Sequence, residues 1–161
     1  MRRFVIPVAA LALVAAVVAF RPAPEDTFNA SALEGAWTAV HVHAALQDTT
    51  WTRDEDRPNM LIFAGGHWAS LRISGDGTRA ELPEEATDEQ LLEAWRPFRA
   101  SGGSYAVSGS TISSTTLIAK NPNGTGDEWD SEFKMDGDKL VRIFGNEENG
   151  NTWTVTYKRM D

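Results

Sequence analysis

The chain contains no cysteine. That excludes disulfide cross-links and the cysteine-borne lipid anchor of bacterial lipoproteins, so the fold must rest on a core large enough to hold without staples. Basic residues are scarce: 15 lysines and arginines stand against 23 aspartates and glutamates, the formal charge is −8, and no basic cluster occurs. A chain so acidic is repelled by phosphate backbones and anionic lipid surfaces, which removes nucleic acid from the expected partners. The carboxylates are scattered and read as a solvated surface. Catalytic signatures are missing too. Ser113 and Ser114 lie in a Ser/Thr-rich run without a Gly-x-Ser-x-Gly elbow. No lysine or helix start follows Gly124 and Gly126, as a phosphate loop would require.

What is present begins with Arg2 and Arg3, followed by an apolar stretch from Phe4 to Phe20 that carries small residues around Ala19. A basic start, an apolar middle and small residues near a cut site are the order of a secretory signal. The stretch is 17 residues long, the lower limit for a bilayer-spanning helix, so the alternative is an uncleaved anchor. The expected organisation is therefore a signal peptide or anchor over 1–19, a proline-containing tether over 20–31, and one domain over 32–161. Cleavage leaves 142 residues and moves the charge from −8 to −10 as Arg2 and Arg3 depart. That length suits a single core. Export to the periplasm or the medium is expected, with membrane contact only through the N-terminal segment if it is retained.

From residue 33 onward, short β-type runs alternate with turn residues. The runs fall at 33–43, 58–64, 67–74, 103–108, 111–119, 127–135, 139–144 and 151–159. Gly65-Gly66, Ser108-Gly109 and Asp136-Gly137 supply hairpin turns between successive runs. An eight-stranded antiparallel meander leaves two unpaired edges unless it closes, so the predicted fold is all-β, an up-and-down barrel, with a two-sheet sandwich as its rival. One helix is predicted over 87–96. Thr87 and Gln90 form a capping box, Asp88 and Glu89 suit the positive end, and Pro97 stops it. Leu91, Leu92, Trp95 and Phe98 make an apolar stripe that is expected to be buried, across a barrel mouth as a lid or against the wall.

Period-two alternation sets the facing of the strands. Trp153, Val155, Tyr157 and Arg159 share one side of the last run, and Trp129, Ser131, Phe133 and Met135 share one side of the sixth. Both sides are expected inside. In the first run Trp37 points inward, and Ala39, His41 and His43 follow it if the strand is unbulged. With Tyr105, the expected interior is strongly aromatic, and an eight-stranded barrel is just wide enough to be filled by such rings or to hold one small ligand. Arg159 is the exception on its apolar face. It needs acceptors and a ring to cover, and closure would bring it over Trp37 with nearby carbonyls as partners.

At these residues the chain resembles a family. Leu33-Glu34-Gly35-Ala36-Trp37 looks like the Gly-x-Trp start of lipocalin-like barrels, with Arg159 in the place of the arginine that packs across that tryptophan. The order of this segment, Met60-Leu61-Ile62-Phe63 with Gly66-His67-Trp68, a helix before Gly103-Ser104-Tyr105, and Trp153 to Arg159 is similar to the uncharacterised bacterial lipocalin-like domain family. The likeness spans about residues 32 to 160. It implies a calycin-type barrel with room for a small molecule; the Thr-Asp-Tyr motif of true lipocalins is missing, and the helix lies mid-chain.

The expected function is an exported binding protein that encloses a small hydrophobic or aromatic ligand, with Trp37, His41, Tyr105, Trp129, Phe133, Trp153, Tyr157 and Arg159 as candidate ligand contacts. One alternative is a small isomerase or lyase using His41 with Tyr105 or Tyr157. Another is a filled barrel that acts only through its surface. His41 and His43, two apart on a strand, share a side as two metal ligands would, but only His67 could be a third and no acidic residue completes the set. No catalytic residue, metal or cofactor is expected.

Overall fold

The computed structural model describes residues 30–146 and 149–161. The expected signal over 1–19 and most of the tether over 20–31 lie outside the described residues. A short 3-10 turn, Ala30–Ala32, leads into β1 (Gly35–Leu46), β2 (Thr49–Asp54), β3 (Asn59–Ala64) and β4 (His67–Ile73). The helix α1 (Asp88–Trp95) follows, then β5 (Phe98–Ser108), β6 (Thr111–Ala119), a second 3-10 turn (Pro122–Gly124), β7 (Glu128–Asp136), β8 (Lys139–Asn146) and β9 (Asn151–Arg159).

All pairings are antiparallel, and β1 pairs with both β3 and β9, so β1 and β3 to β9 close into an eight-stranded up-and-down barrel. Closure leaves no unpaired edge in the ring. The hairpins β3–β4, β5–β6 and β7–β8 turn at Gly65-Gly66, Gly109 and Gly137, each at positive φ. All three lie at one end, together with Gly35 and Arg159. The longer connections carrying α1 and the 3-10 turn Pro122–Gly124 lie at the other.

Two strands depart from the sequence reading. β2 is a ninth strand that the reading left unassigned; it pairs with the outer half of β1, His41 to Leu46, where β3 no longer reaches. Its Thr-rich, largely exposed run has no apolar face to announce it. β5 begins at Phe98 rather than 103, because Gly102-Gly103 is not a boundary but continues the strand past a bulge in β6, where Leu117 is the extra residue between the partners Ile118 and Thr116.

The helix has its predicted cap: Gln90 N–H donates to Thr87 Oγ1 at 3.3 Å and Thr87 N–H to Gln90 Oε1 at 2.9 Å. Its stripe, however, is not buried. Leu91, Leu92 and Trp95 are 38%, 59% and 50% exposed, and only Ala94 is buried. The helix is instead held by its last carbonyls, where Arg79 Nε donates to Ala94 O at 2.9 Å and Lys120 Nζ donates to Trp95 O. Cations at a helix C-terminus suit both the free carbonyls and the dipole. The predicted lid or wall packing of the stripe is therefore replaced by polar tethering, with Trp95 edge-on to Phe98 at 5.8 Å.

Inside the ring, Leu33, Trp37, Leu61, Phe63, Trp68, Ile112, Phe133 and Leu140 form a closed core at the end that holds the tight hairpins. A smaller group, Ala39, Val42 and Val155, with Trp51, Phe144 and Tyr157 against it, lies toward the other end.

Candidate functional site

The closed end is built around the seam between β1 and β9, where Trp37 lies opposite Arg159. Trp37 is fully buried and its Nε1 donates to Leu33 O at 2.8 Å. The Arg159 guanidinium lies 4.3 Å from the ring centroid and donates to Glu34 O at 2.6 Å and Ala32 O at 2.7 Å. The expected arginine–tryptophan contact is thus present. It seals the barrel, and neither residue reaches a cavity. Gly35 is required here: its φ is +125°, and a Cβ would come within 2.6 Å of the Arg159 guanidinium.

Further along β1 the chain reverses its facing. Ala39 lies opposite Tyr157, the register then shifts at Val40, and His41 comes opposite Thr156 while Val42 meets Val155. One extra residue in a strand moves every later side chain to the other face. His41 and His43, expected inside an unbulged strand, therefore point outward, and Val42 and Ala44 take their places in the interior. His41 Nδ1 lies 3.0 Å from Asp54 Oδ1 and His43 Nδ1 2.8 Å from Thr52 Oγ1, both on the exposed side facing β2. His67 is elsewhere, against Gly65 O at 3.0 Å.

The open half of the barrel holds a cavity of about 590 Å³, within the range of small-molecule sites. Its aromatic walls are Trp51, Trp129, Phe144, Trp153 and Tyr157, with Leu61 and Val155 below and Arg53, Glu55, Asn59 and Arg72 among its polar groups. Phe144 stacks on Trp153 with centroids 6.3 Å apart, and Trp129 meets Trp68 edge-on at 5.6 Å. Of the expected contacts, the fold gathers Trp129, Trp153 and Tyr157 around this space. Phe133 is buried in the closed core, and Tyr105 packs there edge-on to Phe63 at 4.9 Å. The Tyr105 hydroxyl donates to Glu34 Oε1 at 3.3 Å, and burial first, then the Glu34 carboxylate, raises its pKa.

Behind the cavity floor lies a residue that the sequence reading passed over. Arg142 on β8 is 4% exposed, inside the barrel. Its guanidinium lies 5.2 Å from the Trp129 ring, 5.7 Å from Phe63 and 6.0 Å from Phe144. It donates to Ser131 Oγ at 2.7 Å and interacts with the Tyr157 hydroxyl, while its Nε has no partner. No carboxylate among the described residues forms an ion pair with it. Burial lowers the arginine's pKa and raises that of Tyr157, yet a guanidinium starts so far above neutrality that it stays charged. Alternation groups it with Leu140 and Phe144, but Val141 and Ile143 make the other face of the strand equally apolar, so the sequence does not say that Arg142 points inward. Trp51 and Arg72 were missed as well, the first because β2 was unassigned, the second because Leu71 and Ile73 flank it.

Among solved structures, the chain is similar to a lipocalin-like protein from Bacteroides uniformis ATCC 8492, at 14% identity and a TM-score of 0.46, covering 80% of this chain and 99% of that one. It is also similar to an uncharacterized protein from Bacteroides eggerthii DSM 20697, at 14% identity and a TM-score of 0.44, covering 78% and 98%. No family model and no curated protein matches. The lipocalin-like character of the fold rests on the strand order and the β1–β9 seam themselves.

Proposed function

We propose that this lipocalin-like barrel belongs to an exported binding protein that encloses a small hydrophobic or aromatic ligand in its open half. The observation that carries the reading is the division of the interior. One half is packed solid around Trp37, Phe63 and Phe133, while the other leaves about 590 Å³ walled by five aromatic side chains. Rings around a preformed space offer a large apolar contact area at little cost in side-chain ordering. A barrel acting only through its surface would have had that space filled. The isomerase or lyase alternative loses its base, because His41 faces outward. Export rests on the order of Arg2-Arg3 and the apolar run that follows.

Three of the six tryptophans, Trp51, Trp129 and Trp153, line the cavity, so intrinsic fluorescence reports its occupancy. Titration with a panel of small aromatic and aliphatic probes should give a saturable change for at least one of them. Trp153→Ala should weaken that binding without unfolding the barrel. A flat titration across the whole panel would sink the reading. N-terminal sequencing of protein recovered outside the cytoplasm should begin near residue 20, or at residue 1 in a membrane fraction if the segment is retained.

A further inference from the structure

Most polar groups on the cavity wall are already committed to the fold. Asn59 Oδ1 accepts from Ala39 N–H at 2.6 Å, and its Nδ2 donates to Ala39 O at 3.2 Å and Arg57 O at 2.9 Å. Glu55 is gripped by Arg57 Nε at 2.5 Å and by Arg53 at 3.1 Å. The other lining carboxylate, Asp130, belongs to the outward side of β7. Apart from the neutral Ser70 hydroxyl, what remains is cationic. Arg72 lines the wall with no hydrogen bond or ion pair among the described residues. Arg99 lies directly opposite it on β5 and lines an adjoining depression, where Asp127 is the acid.

Tyr157 is the hinge of this arrangement. A guanidinium can only donate, so the contact with Arg142 uses the phenol oxygen as acceptor and leaves the phenol proton for another partner. Arg142 is the one side-chain hydrogen-bond partner of that hydroxyl among the described residues. Arg72 acts on the same phenol electrostatically. The cavity therefore presents a hydroxyl proton and a free guanidinium, backed by a second guanidinium that is buried without a carboxylate. Burying an uncompensated cation is costly, and a wall whose free inward charge is cationic selects against a cation.

On the reading of the cavity as a ligand site, we propose that the ligand is an organic anion: a carboxylate or similar oxyanion on an aromatic or apolar body. The body lies among Trp51, Trp129, Phe144 and Trp153, and the oxyanion is received by the Tyr157 hydroxyl and the Arg72 guanidinium. Arg142 is a positioning residue. It holds the phenol oxygen so that its proton points into the cavity, and it supplies the buried counter-charge.

The test is a matched pair of probes on the full chain, 2-naphthoate and 2-naphthamide, which share a body and differ in charge. Fluorescence titration should show naphthoate binding about tenfold or more tighter, as charge-assisted hydrogen bonds do. Arg72→Met and Tyr157→Phe should each remove most of that preference while leaving naphthamide affinity nearly unchanged. Arg142→Met should lower the preference and abolish the upward shift in Tm that naphthoate gives the parent protein. Should that variant fail to fold, the other two decide. Equal affinity for the two probes, or a preference that survives both Arg72→Met and Tyr157→Phe, would overturn the anion while the apolar cavity stands. Binding of neither probe, alongside a flat panel, would remove the cavity reading itself.

Discussion

At the scale of the residue, the seam depends on three residues that constrain one another, Gly35, Trp37 and Arg159. Arg159 covers Trp37 and ties down Glu34 O and Ala32 O. Arg159→Ala should lower stability by about 1–3 kcal/mol, the sum of a cation–π contact and charge-assisted hydrogen bonds. Gly35→Ala should cost about as much, because a left-handed φ is strained for alanine and the new methyl displaces the guanidinium. The two changes should not add. The atoms within 4 Å of a Cβ at Gly35 all belong to Arg159, so in an Arg159→Ala background the glycine substitution should cost only the backbone strain. Urea denaturation of the two single variants and the double variant measures this coupling; simple additivity would mean that the Cβ contact costs nothing. The seam was legible in advance because Gly-x-Trp and a terminal arginine are unusual on an apolar face. Arg142, the same residue type inside the same barrel, was not. Its run was assigned as a strand, but nothing in the local sequence said which of its faces was wet.

At the scale of the element, irregularities decided more than the regular strands did. Gly103 marks one: a Cβ there would lie 1.8 Å from Thr115 O, a backbone atom with nowhere to go. Gly103→Ala should therefore destabilise by about 3 kcal/mol or more, seen as a lower urea midpoint at unchanged slope; a wild-type midpoint would show that the two strands can part at little cost. The helix should behave in the opposite way. Thr87→Ala removes a capping side chain worth about 1 kcal/mol, yet α1 leaves its stripe exposed, so amide exchange over 88–95 should speed up while the global midpoint stays put. A matching loss of global stability would mean that the helix folds as part of the barrel. The alternation of β7 and β9, the three glycine hairpins and the helix cap could all be read from residue order, since each is set by neighbours within a few positions. The bulge at Val40 could not. Val40 and Val42 are as apolar as Ala39 and Ala44, so the pattern is equally satisfied by either facing, and the long-range pairing with β9 settles it. His41 was misplaced for that reason, and β2 was overlooked because an exposed strand has no burial pattern.

At the scale of the whole molecule, stability should respond to acid through the cluster at the cavity rim. Arg57 first, through its hydrogen bond, and then Arg53 hold the Glu55 carboxyl below its ordinary value of 4.5. A depressed carboxylate stabilises the folded state above that ordinary value, and the contribution is lost as pH falls through the lower folded value. Glu55→Gln should accordingly be less stable than the parent near neutrality, and the gap should narrow as pH falls below about 4.5. Thermal unfolding at a series of pH values tests this; a gap that widens in acid would contradict the assignment. The seam has a consequence for how the protein can be held. Ala30 enters and Met160 leaves at the same pole, where Met160 N–H donates to Ala36 O at 2.9 Å, while Trp51, Arg72 and Trp153 ring the opposite one. Whatever is attached ahead of residue 30 or behind residue 161, whether a leader, a fusion partner or a solid support, hangs from the sealed pole. The mouth of the cavity is thereby turned away from the attachment, and a protein immobilised through either terminus would keep that mouth unobstructed.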